Sequence, residues 1–145
     1  MKLRIITSNP GKATEFRRAL GGMGFEIEHA DEDCDEIQAD TLQEVVRSCM
    51  SQLRPLALGD FALDDSGLFI DALGGFPGVY SSYAFSTIGI EGILRLMDGN
   101  EERSARFECC IGCSFRGEEF TVEGRCDGAI ALRPAGAGGF GFDPK

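Results

Sequence analysis

The sequence from Asp60 to Tyr80 reads DFALDDSGLFIDALGGFPGVY, and it is the stretch around which the rest of the chain is organised. It places two adjacent carboxylates, Asp64 and Asp65, after an apolar run and directly before Ser66-Gly67. Small, turn-forming residues at that point predict that the backbone turns at the end of a strand and presents the acids there. Taken alone, the four residues suit an ordinary hairpin turn. Whether Asp64 to Gly67 also form a functional site depends on the other motifs of the chain.

Length and composition predict one domain, residues 1–145, with a core that needs neither metals nor disulfides. The chain has 145 residues and is 43% hydrophobic, which is enough to bury a core of its own. Its 24 acidic and 14 basic residues give a formal net charge of −10, which opposes binding to nucleic acid or to an anionic membrane. A phosphate-bearing ligand must therefore be small. Acidic proteins that handle phosphates usually recruit a divalent cation.

The cysteines and the amino terminus predict a cytoplasmic protein with reduced thiols. The first apolar run is short and meets Thr7, so it resembles neither a signal peptide nor a membrane span. Cys110 and Cys113 have the spacing of a redox or zinc motif. However, residues 105–115 alternate as in a strand, which sends these two side chains to opposite faces. We therefore predict that Cys109 and Cys113 are core thiols. Zinc binding or thiol-redox chemistry at Cys110 and Cys113 is disfavoured.

Periodicity predicts an alternation of strands and helices. An apolar helical face at Phe16, Leu20 and Met23 follows the first strand, with Lys12 pointing outward, and a second helix ends before Pro55. Strands are predicted at residues 2–7, 25–30, 56–63, 104–115, 118–124 and 129–132, and helices from residue 10, from residue 41 and over 89–97.

Two loops are candidates for binding charge. In the loop Ser8 to Lys12, Asn9 suits an N-cap and Pro10 the first helical position. This loop is either a plain strand-to-helix turn or a phosphate site, in which the helix N-terminus is assisted by Lys12. The acidic run from Asp31 to Asp40 is most simply a solvated loop, although one of its carboxylates could complete a metal site with Asp65.

No histidine cluster is expected, because the sole histidine, His29, falls in the second predicted strand. A catalytic or metal site based on histidine is therefore ruled out.

The order of these motifs resembles the inosine triphosphate pyrophosphatase family, also called the Ham1 or XTP/dITP diphosphatase family. The resemblance covers the whole chain. It rests on Thr7 to Lys12 (TSNPGK), Glu36 to Gln38 (EIQ), Asp64 to Leu68 (DDSGL), Gly75 to Tyr80 (GFPGVY) and Gly139 to Pro144 (GFGFDP).

The resemblance implies a fold, a reaction and a cofactor. The fold is α/β, with a mixed twisted sheet, flanking helices and an elongated two-lobed form with a central cleft. The reaction is the Mg²⁺-dependent hydrolysis of ITP, dITP and XTP to the monophosphate and pyrophosphate, which cleanses the nucleotide pool. The expected partner is a small nucleotide, with no nucleic acid or membrane, and the expected assembly is a homodimer.

The resemblance also implies residue roles. Asp65 and Lys12 are the expected catalytic residues, and Glu36 joins Asp65 as a magnesium ligand. Asp64 is a neighbour without an assigned role. Substrate binding is expected from three groups of residues. The triphosphate would be bound by Ser8, Asn9 and Lys12, the phosphates would be approached by the backbone of Ser66 and Gly67, and the base would be recognised by Phe140, Phe142 and Asp143.

Two departures from the family pattern affect these expectations. Ser81-Ser82-Tyr83 is uncharged where many members carry a basic residue. Relatives also continue beyond the aspartate-proline step to a Ser-His-Arg motif that contacts the base, whereas this sequence stops at Lys145. It is therefore either a fragment or a natural short form with an open base pocket.

Three functions compete at this point. The first is a nucleoside triphosphate pyrophosphohydrolase. The second is a truncated nucleotide-binding protein with weak or no turnover, which pyrophosphate release would distinguish from the first. The third is a thiol or zinc protein built on Cys110 and Cys113, which a metal assay would decide.

Overall fold

A computed structural model describes residues 2–7, 10–30, 32, 34, 35 and 37–132, apart from the side chains of Pro10 and Gly21. This part of the chain forms five strands and four helices, with short 3₁₀ turns between some of them. In chain order they are β1 (Lys2–Ile6), α1 (Pro10–Leu20), β2 (Glu26–Ala30), α2 (Leu42–Leu53), β3 (Phe61–Ile70), α3 (Ser81–Thr87), α4 (Gly89–Leu96), β4 (Ser104–Phe115) and β5 (Glu118–Ala129).

The five strands form one mixed sheet in the order β2-β1-β3-β4-β5. Strand β1 pairs in parallel with β2, from Lys2 opposite Glu26 onward, and in parallel with β3. Strands β4 and β5 are sheet neighbours joined by Arg116 and Gly117, both at positive φ, as a tight hairpin turn requires. The mixed sheet with flanking helices confirms the predicted fold class.

The chain divides into two compact units. The first contains Met1–Ala39, Gln43–Asp65 and Cys110–Glu123, and the second contains Asp40–Leu42, Ser66–Cys109 and Gly124–Lys145. The single-domain assignment of residues 1–145 stays a prediction.

Each unit has an apolar core of its own. In the first, α1 packs against the sheet through a cluster made of Leu3, Ile5, Phe16, Leu20, Phe25, Ile27, Ala62 and Cys113. In the second, α3 and α4 pack with the ends of three strands through a cluster made of Leu68, Ile70, Ala84, Ile93, Met97, Ala105 and Ile130.

The predicted turn at Ser66-Gly67 is wrong, because β3 runs without interruption from Phe61 to Ile70. Gly67 is buried and lies against the carbonyl oxygen of Gly78, where a Cβ atom would clash. The glycine therefore permits a close backbone approach inside a strand and does not serve a turn. The chain turns further on, at Gly74 and Gly75, both of which have positive φ.

Other element boundaries also differ from the prediction. Helix α3 (Ser81–Thr87) was not predicted, because its serines and aromatic residues carry no helical apolar period. Strand β5 continues through Gly124 to Ala129, so the separate strand predicted over 129–132 is wrong. Met23 is 69% exposed, since α1 ends at Leu20 and the following 3₁₀ turn breaks the period.

No helix in the described part of the chain combines the length and apolarity needed to cross a membrane.

Candidate active site

Lys12 and Asp64 form an ion pair in the first unit, with Lys12 Nζ 3.1 Å from Asp64 Oδ1. Lys12 lies in the first turn of α1 and precedes the packed residues Phe16 and Leu20 by four and eight positions. Residues at that spacing share one helix face, so Lys12 turns toward the sheet. The outward orientation predicted for Lys12 is therefore wrong. Its side chain is only 21% exposed.

Strand parity explains why Asp64 meets α1. Ala62, two residues earlier in β3, belongs to the cluster that packs against α1. Side chains two positions apart in a strand lie on the same face, so Asp64 continues the α1 side of the sheet. Its side chain is 16% exposed. This parity was readable from the sequence, but the predicted turn at Ser66-Gly67 concealed it.

Asp65 has the opposite parity and lies on the other face of β3. Its negative charge acts on Cys110, which is fully buried in β4. Burial, reinforced by the charges of Glu123 and Asp65 and opposed by that of Arg47, raises the pKa of Cys110 to about 11. Asp65 is therefore separated from the Lys12 and Asp64 pair by the thickness of the strand, and it is partly exposed.

The face of β4 that carries Cys110 packs against α2. Gly112, with the same parity, would bring a Cβ within 2.6 Å of the side chains of Val46 and Met50. Cys113 instead packs in the α1 cluster, so the prediction that Cys110 and Cys113 point to opposite faces is confirmed. They cannot ligate one ion together. Of the two predicted core thiols, Cys113 packs in a core cluster and Cys109 is only partly buried. Cys110, which was not predicted as a core thiol, is fully buried, because helices cover both faces of β4 in the first unit.

The described part of the acidic segment is tied to α2. Cys34 and Cys49 form a disulfide, with their Cα atoms 5.3 Å apart. Gln52 binds the backbone of Asp35 in both directions, accepting from its N–H at 2.7 Å and donating to its carbonyl at 2.8 Å. The prediction that the thiols are reduced is therefore wrong for this pair. The only indication of this disulfide in the sequence was that Cys49 lies on the apolar face of a helix.

Ser66 and Gly67 belong to the second unit. In that unit, the buried hydroxyl of Ser81 binds the next residue of β3, Leu68. Ser81 is 7% exposed, and its Oγ accepts a hydrogen bond from the Leu68 N–H at 2.8 Å. The same Oγ donates to the Gly78 carbonyl at 2.6 Å. Ser81 therefore links β3 to the loop that packs on Gly67. Sequence reasoning missed this role, because Ser81 was considered only as an uncharged replacement for a basic residue.

Several predicted site residues lie outside the described part of the chain: Ser8, Asn9, Glu36, Phe140, Phe142 and Asp143. His29 lies in β2, and its Nε2 is 2.6 Å from the Thr7 carbonyl oxygen. Among the described residues, no three His, Cys, Asp or Glu side chains lie close enough together to hold a metal ion. A metal bound by Asp65 would therefore need a further ligand from elsewhere, and Glu36 is the residue that the family resemblance offers.

Known proteins match the chain along almost its whole length. A protein named dITP/XTP pyrophosphatase from Thermococcus kodakarensis is 49% identical over 99% of this chain and 78% of its own length. One of the same name from Pyrococcus horikoshii is 46% identical over 99% of this chain and 77% of its own length. These names describe enzymes and give no support to a binding protein with weak turnover.

Solved structures agree with the sequence relatives. The Ham1 protein of Staphylococcus aureus is 28% identical and superposes with a TM-score of 0.82, covering 99% of this chain and 79% of that protein. The sequence model of the Ham1 family matches residues 3–145. The chain therefore belongs to the Ham1 family.

Proposed function

We propose that this protein hydrolyses deaminated purine nucleoside triphosphates, namely dITP, XTP and ITP, to the nucleoside monophosphate and pyrophosphate. The observation that carries the proposal is the 49% identity, over 99% of the chain, to a relative named dITP/XTP pyrophosphatase. In this reaction water adds to the α-phosphorus and the bond to the bridging oxygen breaks. Pyrophosphate leaves, and the proton of the water passes to a base.

The phosphate half of the proposed site is the first turn of α1. Backbone N–H groups at a helix N-terminus and the positive end of its dipole attract phosphate oxygens. Lys12, in that turn, adds a full positive charge. In a protein with a net charge of −10, such local positive charge is what allows a triphosphate to bind. Ser8 and Asn9, immediately before α1, are proposed to contribute to the same loop.

Asp65 is proposed as the base on the family resemblance, and its carboxylate in β3 is partly exposed. A carboxylate there would position the attacking water or accept its proton. Ser66 and Gly67, the next two residues in β3, are proposed to offer backbone groups to the phosphates.

The donor chemistry of the site fits Mg²⁺, since carboxylate oxygens are the hard ligands that this ion prefers. Asp65 and Glu36 would hold it. When bound, the ion would offset the charge of the phosphate oxygens. The disulfide and the Gln52 contacts fix residues 34 and 35, which directly precede Glu36 in the chain.

Base recognition, assembly and location are proposed on the family resemblance. Phe140 and Phe142 would stack on the purine, and Asp143 would contact it. We expect a homodimer that acts in the cytoplasm on a small nucleotide, without nucleic acid or membrane partners.

The test of the site is Asp65→Asn. The change is nearly isosteric and removes only the charge, so the melting temperature should stay close to that of the wild type. Turnover of dITP should fall by about 10² to 10⁴, the range for loss of a general base. Asp60→Asn is the matched control, since Asp60 accepts a hydrogen bond from the Arg116 N–H just before β3 and has no proposed catalytic role. Full activity in Asp65→Asn would remove this residue from the mechanism.

A further inference from the structure

Asp64 directly precedes the proposed base in the sequence, yet the structure joins it to a different functional residue. Its Oδ1 lies 3.1 Å from Lys12 Nζ, and both side chains are about four-fifths removed from solvent. From this contact we propose that Asp64 is a positioning residue for Lys12, which holds the ammonium at the start of α1 where the triphosphate binds. The inference rests on the proposed function, because it assigns Asp64 a part in binding that substrate.

Forming the ion pair between Lys12 and Asp64 costs desolvation free energy. Removing a carboxylate and an ammonium from water carries a desolvation penalty that their attraction often fails to offset. A partly buried ion pair is therefore a poor device for stability alone. A pair of this kind at the helix turn where phosphate is expected has a simpler use, which is to hold one of its members in place.

The lysine side chain is suited to binding two anions together. The ammonium sits on a flexible stem of four carbons and carries three donor hydrogens. One lysine can therefore bind a carboxylate and a phosphate at the same time. A fixed ammonium loses less conformational entropy when the phosphate arrives, so substrate binds more tightly.

Both partners of the ion pair lie on elements that pack in the core of the first unit. Lys12 shares a helix face with Phe16 and Leu20, and Asp64 shares a strand face with Ala62. Phe16, Leu20 and Ala62 pack in a single cluster. The distance between α1 and β3 is therefore set by the core beneath the pair, and Asp64 has a fixed position from which to orient Lys12.

An opposing effect makes the proposal refutable. Asp64 also adds negative charge near the phosphates, so its removal relieves repulsion and would by itself tighten binding. If positioning dominates, Asp64→Asn raises the KM for dITP roughly 10-fold and changes kcat by less than about 3-fold. If repulsion dominates, KM falls.

A double-variant cycle separates positioning from general damage. If Asp64 acts through Lys12, Lys12→Ala should raise KM strongly in the wild type and add little in the Asp64→Asn background. Asp64→Glu keeps the carboxylate and should restore part of the loss. The melting temperature of each variant is measured alongside, and a purely structural role would lower it without this pattern in KM.

A second readout does not depend on turnover. The sequence contains three lysines, Lys2, Lys12 and Lys145. Acetylation of amines, followed by peptide mass spectrometry, therefore measures how fast Lys12 reacts relative to Lys2. The side chain of Lys2 is 56% exposed. We expect Lys12 to react several-fold more slowly than Lys2 in the wild type, and to lose most of that protection in Asp64→Asn. Inorganic tripolyphosphate should protect Lys12 further in the wild type and much less in the variant.

The outcomes distinguish this inference from the proposed function. If the wild type fails to hydrolyse dITP but tripolyphosphate protects Lys12 only when Asp64 is present, the proposed reaction is wrong and the positioning role stands. If hydrolysis occurs but Asp64→Asn leaves KM unchanged or lowers it, the positioning role is refuted. Equal acetylation of Lys12 in the wild type and in Asp64→Asn would refute it as well.

Discussion

Strand β3 passes so close to the Gly78 carbonyl group that residue 67 has no room for a methyl group. A Cβ atom on Gly67 would clash with the Gly78 carbonyl oxygen and would lie 3.1 Å from its carbonyl carbon and 3.3 Å from Phe69 Cε1. The first two obstacles are backbone atoms, so the strand or the loop has to move. That carbonyl oxygen also accepts the hydrogen bond from Ser81 Oγ, which the same movement would disturb.

We therefore expect Gly67→Ala to lower the free energy of unfolding by about 2 to 3 kcal/mol, in the upper part of the range for an overpacked core. For a chain of this length, the melting temperature would fall by roughly 5 to 10 °C. The matched control is Gly124→Ala, also within a strand, where an added Cβ meets nothing within 4 Å. Its effect should stay within about 0.5 kcal/mol. Urea and thermal unfolding measure both variants, and equal stability of Gly67→Ala and wild type would refute the close backbone contact.

Two further predictions concern buried groups. Ser81→Ala leaves the buried Leu68 N–H without its acceptor, so the free energy of unfolding should fall by about 1 to 3 kcal/mol. Ser86→Ala, which removes an exposed hydroxyl, is the control, and equal effects would contradict this role. Burial raises the pKa of Cys110 from 9.0 to about 11. The unfolded chain therefore loses this proton first, and between pH 9 and 11 the group should lower the free energy of unfolding by about 1 kcal/mol per pH unit. The free energy of unfolding, measured with urea over this pH range, should fall less steeply in Cys110→Ala than in the wild type. Parallel pH curves for the two proteins would contradict the raised pKa of Cys110.

Much of the fold was predictable because its helices and strands follow their apolar periods. The bounds of β4 were predicted without error, and α2 ends before Pro55 as expected. Helix α3 carries no such period and was missed. The largest error was at Ser66-Gly67, where turn propensity and strand packing favour different structures. The deciding contact is with Gly78, eleven residues away, and local sequence does not reveal it.

The candidate site was predictable in its residue types and less so in its geometry. Asp64 and Asp65 are adjacent in sequence, and alternation along an unbroken strand sends them to opposite faces. The helical spacing of Lys12 from Phe16 and Leu20 already indicated that it turns inward. Pairing of Lys12 with Asp64 depends on the packing of α1 against β3, which is a tertiary contact. The Cys34 and Cys49 disulfide is equally non-local.

The measurement that tests the central claim most directly is product analysis with dITP and Mg²⁺. The proposed attack at the α-phosphorus predicts dIMP and pyrophosphate in equal amounts. ATP, as the comparison substrate, should be hydrolysed more slowly by the wild type. Release of orthophosphate in place of pyrophosphate would place the attack at the γ-phosphorus and contradict the proposed reaction.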